Sequence, residues 1–150
     1  MHIWTSRRGM AIAAFEKGKK IRVPVSSDSD LVTARREGRI MAEQAGFTAV
    51  EATLVATAIS ELARNIVNYA RSGEIQLDLI DDGGRTGIAV VACDRGPGIA
   101  DIKLAIQPGY STSGSLGLGL PGVRRIMDEF SISSELGHGT TITVVKWKRR

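Results

Sequence analysis

The sequence predicts an α+β fold, a sheet of hairpin-joined strands with helices packed on one face. Three observations predict it. Two strand pairs are joined by tight turns, at Asp81-Asp82-Gly83-Gly84 and at Gly137-His138-Gly139, as antiparallel neighbours require. Two helical segments follow one another before the first hairpin, which breaks the strand–helix alternation of a doubly wound parallel sheet. The resulting order, β-α-α-β-β-loop-α-β-β, suits a two-layer sandwich.

Each element has its own signal. Residues 1–18 carry Arg7, Arg8 and Lys17 around a short apolar patch with no clear period, and are read as an N-terminal extension of unknown role. Residues 19–150 then form one domain. Ile21, Val23 and Val25 alternate with polar residues, as in a half-buried strand. Asp28 or Asp30 caps a helix to about Ala45, with Leu31, Ala34, Arg35, Gly38, Ile40 and Met41 along it and Gly46 at its end. Thr48 and Glu51 make a capping box for the next helix. Val50, Leu54, Val55, Ala58, Leu62, Ile66 and Tyr69 follow a 3.6 period up to Ser72-Gly73. Ile75, Leu77 and Leu79 alternate, and Gly87–Cys93 is nearly all apolar, so these are strands. After a long loop, 94–118, Pro121 opens a helix to about 129. Strands at 132–136 and 140–147 close the chain.

The bulk numbers exclude several classes. At 150 residues the chain is most simply one domain. Apolar residues make up 43% and charged residues 24%, as in ordinary soluble domains. The longest apolar run, Ile88–Cys93, is far too short for a bilayer, and no secretory signal is evident. The net charge is +4, with Lys146, Lys148, Arg149 and Arg150 at the C-terminus, yet aromatics are only 5%. That reads as a solvated basic tail, not a stacking surface for nucleic acid. The single cysteine, Cys93, excludes an intrachain disulfide and is read as a small buried residue. Together these suit a cytoplasmic protein with no nucleic-acid or membrane partner.

Three stretches carry chemistry. From Gly109 to Gly122 there are five glycines in fourteen residues, leading into a helix start. Bare N–H groups delivered onto a helix N-terminus make an anion site, for which phosphate is a common guest. Glu61, Asn65 and Asn68 stand at i, i+4 and i+7 on one face of the second helix. Asn is a poor mid-helix residue, so the stripe is either a solvated face or a place where oxygens meet a hard cation. Glu61 can also serve as a general base. Asp94-Arg95-Gly96-Pro97-Gly98-Ile99 follows a buried strand. It is either an ordinary turn or a carboxylate aimed at a ligand's amino group, since a carboxylate only accepts. The chain lacks G-x-x-x-x-G-K-[ST] and the eukaryotic kinase signatures.

In combination these segments are similar to the boxes of the GHKL ATPases, the family of gyrase, the Hsp-ninety chaperone, histidine kinases and MutL. Glu61-Leu-Ala-Arg-Asn65, Asp94-Arg-Gly-Pro-Gly98-Ile99, Gly117-Leu-Gly119-Leu and Gly137-His-Gly139-Thr140 stand in that family's order, over about residues 20–147. Ser60–Ile66, Tyr110–Gly114 and Gly119–Phe130 resemble the anti-sigma-factor serine kinases, most of all the RsbT-type switch kinases of the stressosome.

The resemblance implies a Bergerat ATP-binding sandwich with a mixed, mostly antiparallel sheet. It implies that Asn65 ligates magnesium between the ATP phosphates, with Asn68 beside it, and that Glu61 orients or deprotonates the attacking serine hydroxyl. Asp94 would bind the adenine amino group with Thr140 nearby, and Gly96, Gly98 and Ile99 would shape the base pocket. Ser111, Thr112, Gly114, Ser115, Gly117, Leu118 and Gly119 would form the ATP lid and phosphate cradle. Arg35, Arg64 and Arg95 are the cations considered for the γ-phosphate, Arg35 first. The implied activity is an ATP- and magnesium-dependent serine/threonine protein kinase. Its substrate would be a STAS-domain antagonist on a stressosome scaffold; once released, the kinase would activate a PPM-type phosphatase through its regulatory domain. The alternative is an anti-sigma factor that sequesters a sigma subunit. The resemblance is compatible with a monomer or a homodimer.

Overall fold

The computed structural model describes residues 2–6, 19–99 and 119–149. Strand β1 is His2–Ser6 and β2 is Lys20–Val25, followed by helices α1, Asp28–Gln44, and α2, Ala49–Asn65. A π-helical turn, Ile66–Ala70, continues α2. Then come β3, Gly73–Asp82, β4, Arg85–Asp94, helix α3, Gly119–Ile126, β5, Glu129–Glu135, and β6, Gly139–Trp147.

The six strands lie in the order β1-β5-β6-β4-β3-β2. Every pairing is antiparallel, so the expected mixed sheet has no parallel pair among the described residues. The reason lies in the second hairpin. After α3, β5 runs the same way as β4, and β6 inserts between them, separating the two strands that would otherwise pair in parallel. Residues 2–6, inside the stretch to which the sequence assigns no role, add an edge strand against β5. Their partner lies at the other end of the chain, so no local hairpin signal announces them.

Local chemistry explains the helix ends. Ser27, rather than Asp28 or Asp30, is the N-cap of α1: its Oγ accepts from Asp30 N at 3.4 Å. Asp30 Oδ2 in return accepts from Ser26 N at 2.9 Å, so a neighbouring orphan donor is satisfied by the same acid. Gly46 follows at φ +86, a backbone state costly for other residues. The Thr48–Glu51 capping box forms with both bonds in place, 3.1 and 2.8 Å. The β3–β4 turn has two successive positive-φ residues, Gly83 and Gly84, the requirement of a two-residue hairpin.

The core lies between the helices and one face of the sheet. Ala34, Met41, Val55, Ile59 and Leu62 from the helices meet Ile75, Leu77, Ile88, Val90, Ile142 and Val144 from the strands. A Cβ at Gly38 would run into the Ile59 side chain, so α1 and α2 pack closely there. A smaller cluster, Ile80, Ala89, Val145 and Trp147, has the opposite strand parity and lies on the other face. Cys93 shares that outer parity near the strand end and is exposed, not buried. An apolar run suggested burial on both sides, but among the described residues the helices cover only one face.

Candidate active site

The sheet ends, on its helix-covered face, in a row of polar or side-chain-free positions. Gly73 pairs with Asp94, Asp94 with Thr140, and Thr140 with Ser134, so one row crosses β3, β4, β6 and β5. The next row inward is Ile75, Ala92, Ile142 and Ile132, all core. The boundary between apolar core and ligand-competent chemistry is therefore a single same-face step, two residues, along each strand.

Asp94 is held by its own turn. Its Oδ1 accepts from Gly96 N at 2.8 Å, while Oδ2 has no hydrogen-bond partner among the described residues. The turn needs its glycines for space. A Cβ on Gly96 would lie 2.6 Å from the Ala70 Cβ, and one on Gly98, at φ +79, would strike the Glu135 backbone. Gly139, at φ +88, similarly admits the Asp94 carbonyl and lies 2.7 Å from Arg95 Cα at the position a Cβ would take. Two bonds fasten this turn to the β5–β6 hairpin: Ile99 N donates to Ser134 Oγ at 2.8 Å, and Gly137 N to Pro97 O at 2.9 Å.

Glu61 and Asn65 stand one helical turn apart at the C-terminal end of α2. Glu61 is buried, with both oxygens engaged: Oε1 with Arg64 Nη1 at 2.8 Å and Oε2 with Gly119 N at 3.3 Å. Gly119 begins α3, so the carboxylate sits where a helix presents its unpaired N–H groups and positive dipole end. Asn65 is half-buried, and its carboxamide makes no hydrogen bond with another described residue. It is the last α-helical residue before the π turn. Asn68 is not aligned with them. The i→i+5 bonding advances each residue less around the axis, so Asn68 departs from the expected stripe and is exposed, as is Tyr69 at 46%. The turn closes at Arg71 with φ 70, where the backbone breaks out of the helix toward β3.

The model of the histidine kinase-like ATPase domain matches residues 25–146. The chain belongs to that family. It is 49% identical over 127 residues to a Bacillus subtilis protein named serine/threonine-protein kinase RsbT, covering 85% of this chain and 96% of that one. It is 30% identical over 120 residues to a Thermoanaerobacter protein named anti-sigma F factor, covering 76% and 82% respectively. Among solved structures, the RsbU and RsbW domains of a Mycobacterium tuberculosis protein match with TM-score 0.62 at 18% identity, covering 89% of this chain. The chain spans 34% of that solved chain's length. The mycobacterial sensor histidine kinase MprB matches with TM-score 0.52 at 15% identity, over 86% of this chain and 99% of that one. These two likenesses concern the fold.

In this ATPase domain the residues singled out by sequence fall into three groups. Asp94, Gly96, Gly98, Ile99 and Thr140 are gathered at one end of the sheet. Glu61, Asn65 and Gly119 gather where α2 ends and α3 begins. Ser111, Thr112, Gly114, Ser115, Gly117 and Leu118 lie outside the described residues. Of the cations considered, Arg64 is paired with Glu61, while Arg35 and Arg95 are exposed. Lys103, between Ile99 and Gly114, is a fourth cation that belongs beside them and also lies outside the described residues. Sequence reasoning missed Ser134 and Gly73. Nothing local marks a serine in a strand, and only the register sets it beside Thr140. Gly73 was legible as a helix stop, but its place is tighter than that: a Cβ would lie 3.1 Å from the Asp94 Cβ.

The donor set fits a nucleotide with magnesium. Asp94 offers one unoccupied, acceptor-only oxygen, and Asn65 an uncommitted carboxamide one helical turn from Glu61. No cluster of three or more His, Cys, Asp or Glu able to hold a metal occurs among the described residues.

Proposed function

We propose that this chain is an ATP-dependent serine/threonine protein kinase that works as a partner switch. The observation that carries the reading is the placement of Glu61 and Asn65 at one end of α2, with Glu61 fixed by Arg64 and the α3 N-terminus. The identity to a named serine/threonine-protein kinase along nearly its whole length supports it. Asp94 receives the adenine amino group on Oδ2, with Thr140 beside it. Asn65 contributes an oxygen to magnesium, which would neutralise developing phosphate charge. Ser111, Thr112, Gly114, Ser115, Gly117 and Leu118, followed by Gly119, supply the N–H groups of the phosphate cradle. Glu61 orients the acceptor hydroxyl and takes its proton. Phosphoryl transfer asks for little else beyond positioning and electrostatics.

The substrate in this reading is a STAS-domain antagonist held on a stressosome scaffold. Release from it lets the kinase engage the regulatory domain of a PPM-type phosphatase. The domain spans residues 19–150, the location is cytoplasmic, and no helix among the described residues is long and apolar enough to cross a membrane. The likeness to proteins named anti-sigma F factor favours one second reading, sequestration of a sigma subunit.

The test is transfer of labelled phosphate from ATP to a STAS-domain protein encoded beside this gene. Wild type should label it. Glu61→Ala should lower the rate by about 10²–10⁴, the usual contribution of a positioned general base, while leaving ATP bound. Asn65→Ala should abolish the magnesium dependence together with activity. Nucleotide binding without any labelled STAS protein sinks the switch-kinase reading, and capture of a purified sigma factor would then decide for the second.

A further inference from the structure

Two atoms with separate tasks in phosphoryl transfer are bonded to each other. Gly119 N donates to Glu61 Oε2 at 3.3 Å, across 58 positions of sequence. In the kinase reading, Gly119 N serves the phosphate cradle, and the Glu61 carboxylate takes the proton of the acceptor hydroxyl. Neither is free for its task while it holds the other. A phosphate oxygen and a carboxylate oxygen both accept, and one N–H has a single proton to give. Both groups are also anions, and Glu61 is only 8% exposed, so water screens their repulsion little. The two bonds of the carboxylate differ in kind. Oε1 accepts from Arg64 Nη1 at 2.8 Å, and Arg64 stands three residues further along the same helix. That bond can travel with the carboxylate. The bond to Gly119 joins α2 to α3, and it breaks when the carboxylate moves.

We propose that the Glu61 carboxylate and the triphosphate compete for the N–H that opens α3. Bonded there, Glu61 is held back from the acceptor hydroxyl; it leaves when phosphate binds, so the base is released only with the donor group in place. The inference rests on the nucleotide-binding reading above and adds a regulation of the same site. Binding then has to break one hydrogen bond of the protein, and Glu61 lowers the affinity for ATP by that amount. The coupling is reciprocal: whatever weakens the hold of α3 on Glu61 strengthens the binding of phosphate, and the reverse. Arg64 serves as the tether, keeping the released carboxylate beside the site through a bond within its own helix. A carboxylate that stayed on Gly119 throughout would leave the cradle one donor short.

The experiment is titration of the full-length protein with ATP and with adenosine, which carries no phosphate, in wild type and Glu61→Asp, with a thermal melt on each. Aspartate keeps the charge but is one methylene shorter. A contact already at 3.3 Å, long for N–H···O, does not survive that retreat. ATP then meets no competitor at Gly119 and should bind about three- to tenfold tighter, the reach of one net hydrogen bond. Adenosine should keep its wild-type affinity. Unchanged or weaker binding of ATP overturns the proposal, because repulsion between charges persists in the variant and a contact needed only for packing weakens binding when lost. An equal gain for ATP and adenosine overturns it too, since the competition is for phosphate. Should Glu61→Asp melt below the working temperature, the wild type decides: the ¹³C carboxyl resonance of Glu61 should shift on saturation with ATP, and one that stays in place overturns the proposal. Wild type that binds no ATP overturns the nucleotide reading itself, a result distinct from all of these.

Discussion

The two ends of the β4–β6 pair carry similar residue types to opposite purposes. At the far end, Gly87 pairs with Trp147, whose ring lies 3.8 Å beneath the Arg85 guanidinium. Trp147 Nε1 donates to the buried Glu129 at 2.8 Å, and its backbone N donates to Asp128 at 2.7 Å. Arg85 also pairs with Asp82 at 3.2 Å. Most of the charge there is engaged by the protein, and the buried carboxylate oxygen left without a hydrogen bond, Glu129 Oε1, belongs to a residue only 2% exposed. At the near end, Asp94 and Thr140 face each other in register, Asp94 keeps an oxygen uncommitted, and Asn65 keeps its carboxamide. The difference teaches that acidic residues at strand ends are not sites by composition. What separates Asp94 from Glu129 is that its uncommitted oxygen belongs to a half-buried rather than a fully buried side chain, in a place where glycines keep Cβ atoms out of the way.

If the comparison holds, damage at the two ends should read out in different assays. The largest effect belongs to the far end. Trp147→Ala removes a buried aromatic and orphans part of Glu129, and should destabilise the fold by about 3–5 kcal/mol in denaturant titration. Nucleotide affinity per folded molecule should stay at the wild-type value; a parallel loss of affinity would mean that the two ends are coupled. Next, Gly139→Ala puts a Cβ at φ +88 against the Asp94 backbone. Strain of this kind costs about 1–3 kcal/mol. Because it presses on the turn that aims Asp94, it should weaken both stability and ATP binding.

Asp94→Asn comes third and sharpens the near end. It preserves shape and replaces a charged acceptor, so ATP affinity should fall by roughly ten- to a hundredfold, the worth of about 1.5–3 kcal/mol for a hydrogen bond to a charged group. The thermal midpoint without nucleotide should barely move. An equal fall in both would show that Asp94 is structural, like Glu129.

The smallest effect concerns Glu51, which ties the C-terminus to the start of α2. Burial works to raise its pKa, yet the Thr48 and Arg149 backbone donors outweigh that and hold the carboxyl below its usual value. Its Oε2 accepts from Arg149 N at 3.0 Å. A carboxyl depressed in the folded state contributes stability above its unfolded pKa and loses it as pH falls through the folded value. Unfolding measured between neutral and acidic pH should therefore show an acid-side loss that is smaller in Glu51→Gln. ATP binding by the folded protein should not share that difference.

Much of this was readable in advance, and the reason is local. Capping boxes, paired glycines in hairpins and 3.6-residue periodicity are decided by near neighbours, so the helices, both hairpins and the grouping of motif residues follow from the chain read in order. Glu61 and Asn65 were legible because four residues in a helix always place two side chains on one face. Other features depended on distance in sequence. The π turn that swings Asn68 and Tyr69 outward has no marker in residues 66–70. Strand β1 finds its partner at the opposite end of the chain. Cys93 looked buried because an apolar run does not say which sheet face a helix covers. The sequence by itself determined most of the elements and the family. Tertiary structure alone decided the register that lines up Gly73, Asp94, Thr140 and Ser134, because strand pairing joins segments whose sequences carry no record of one another.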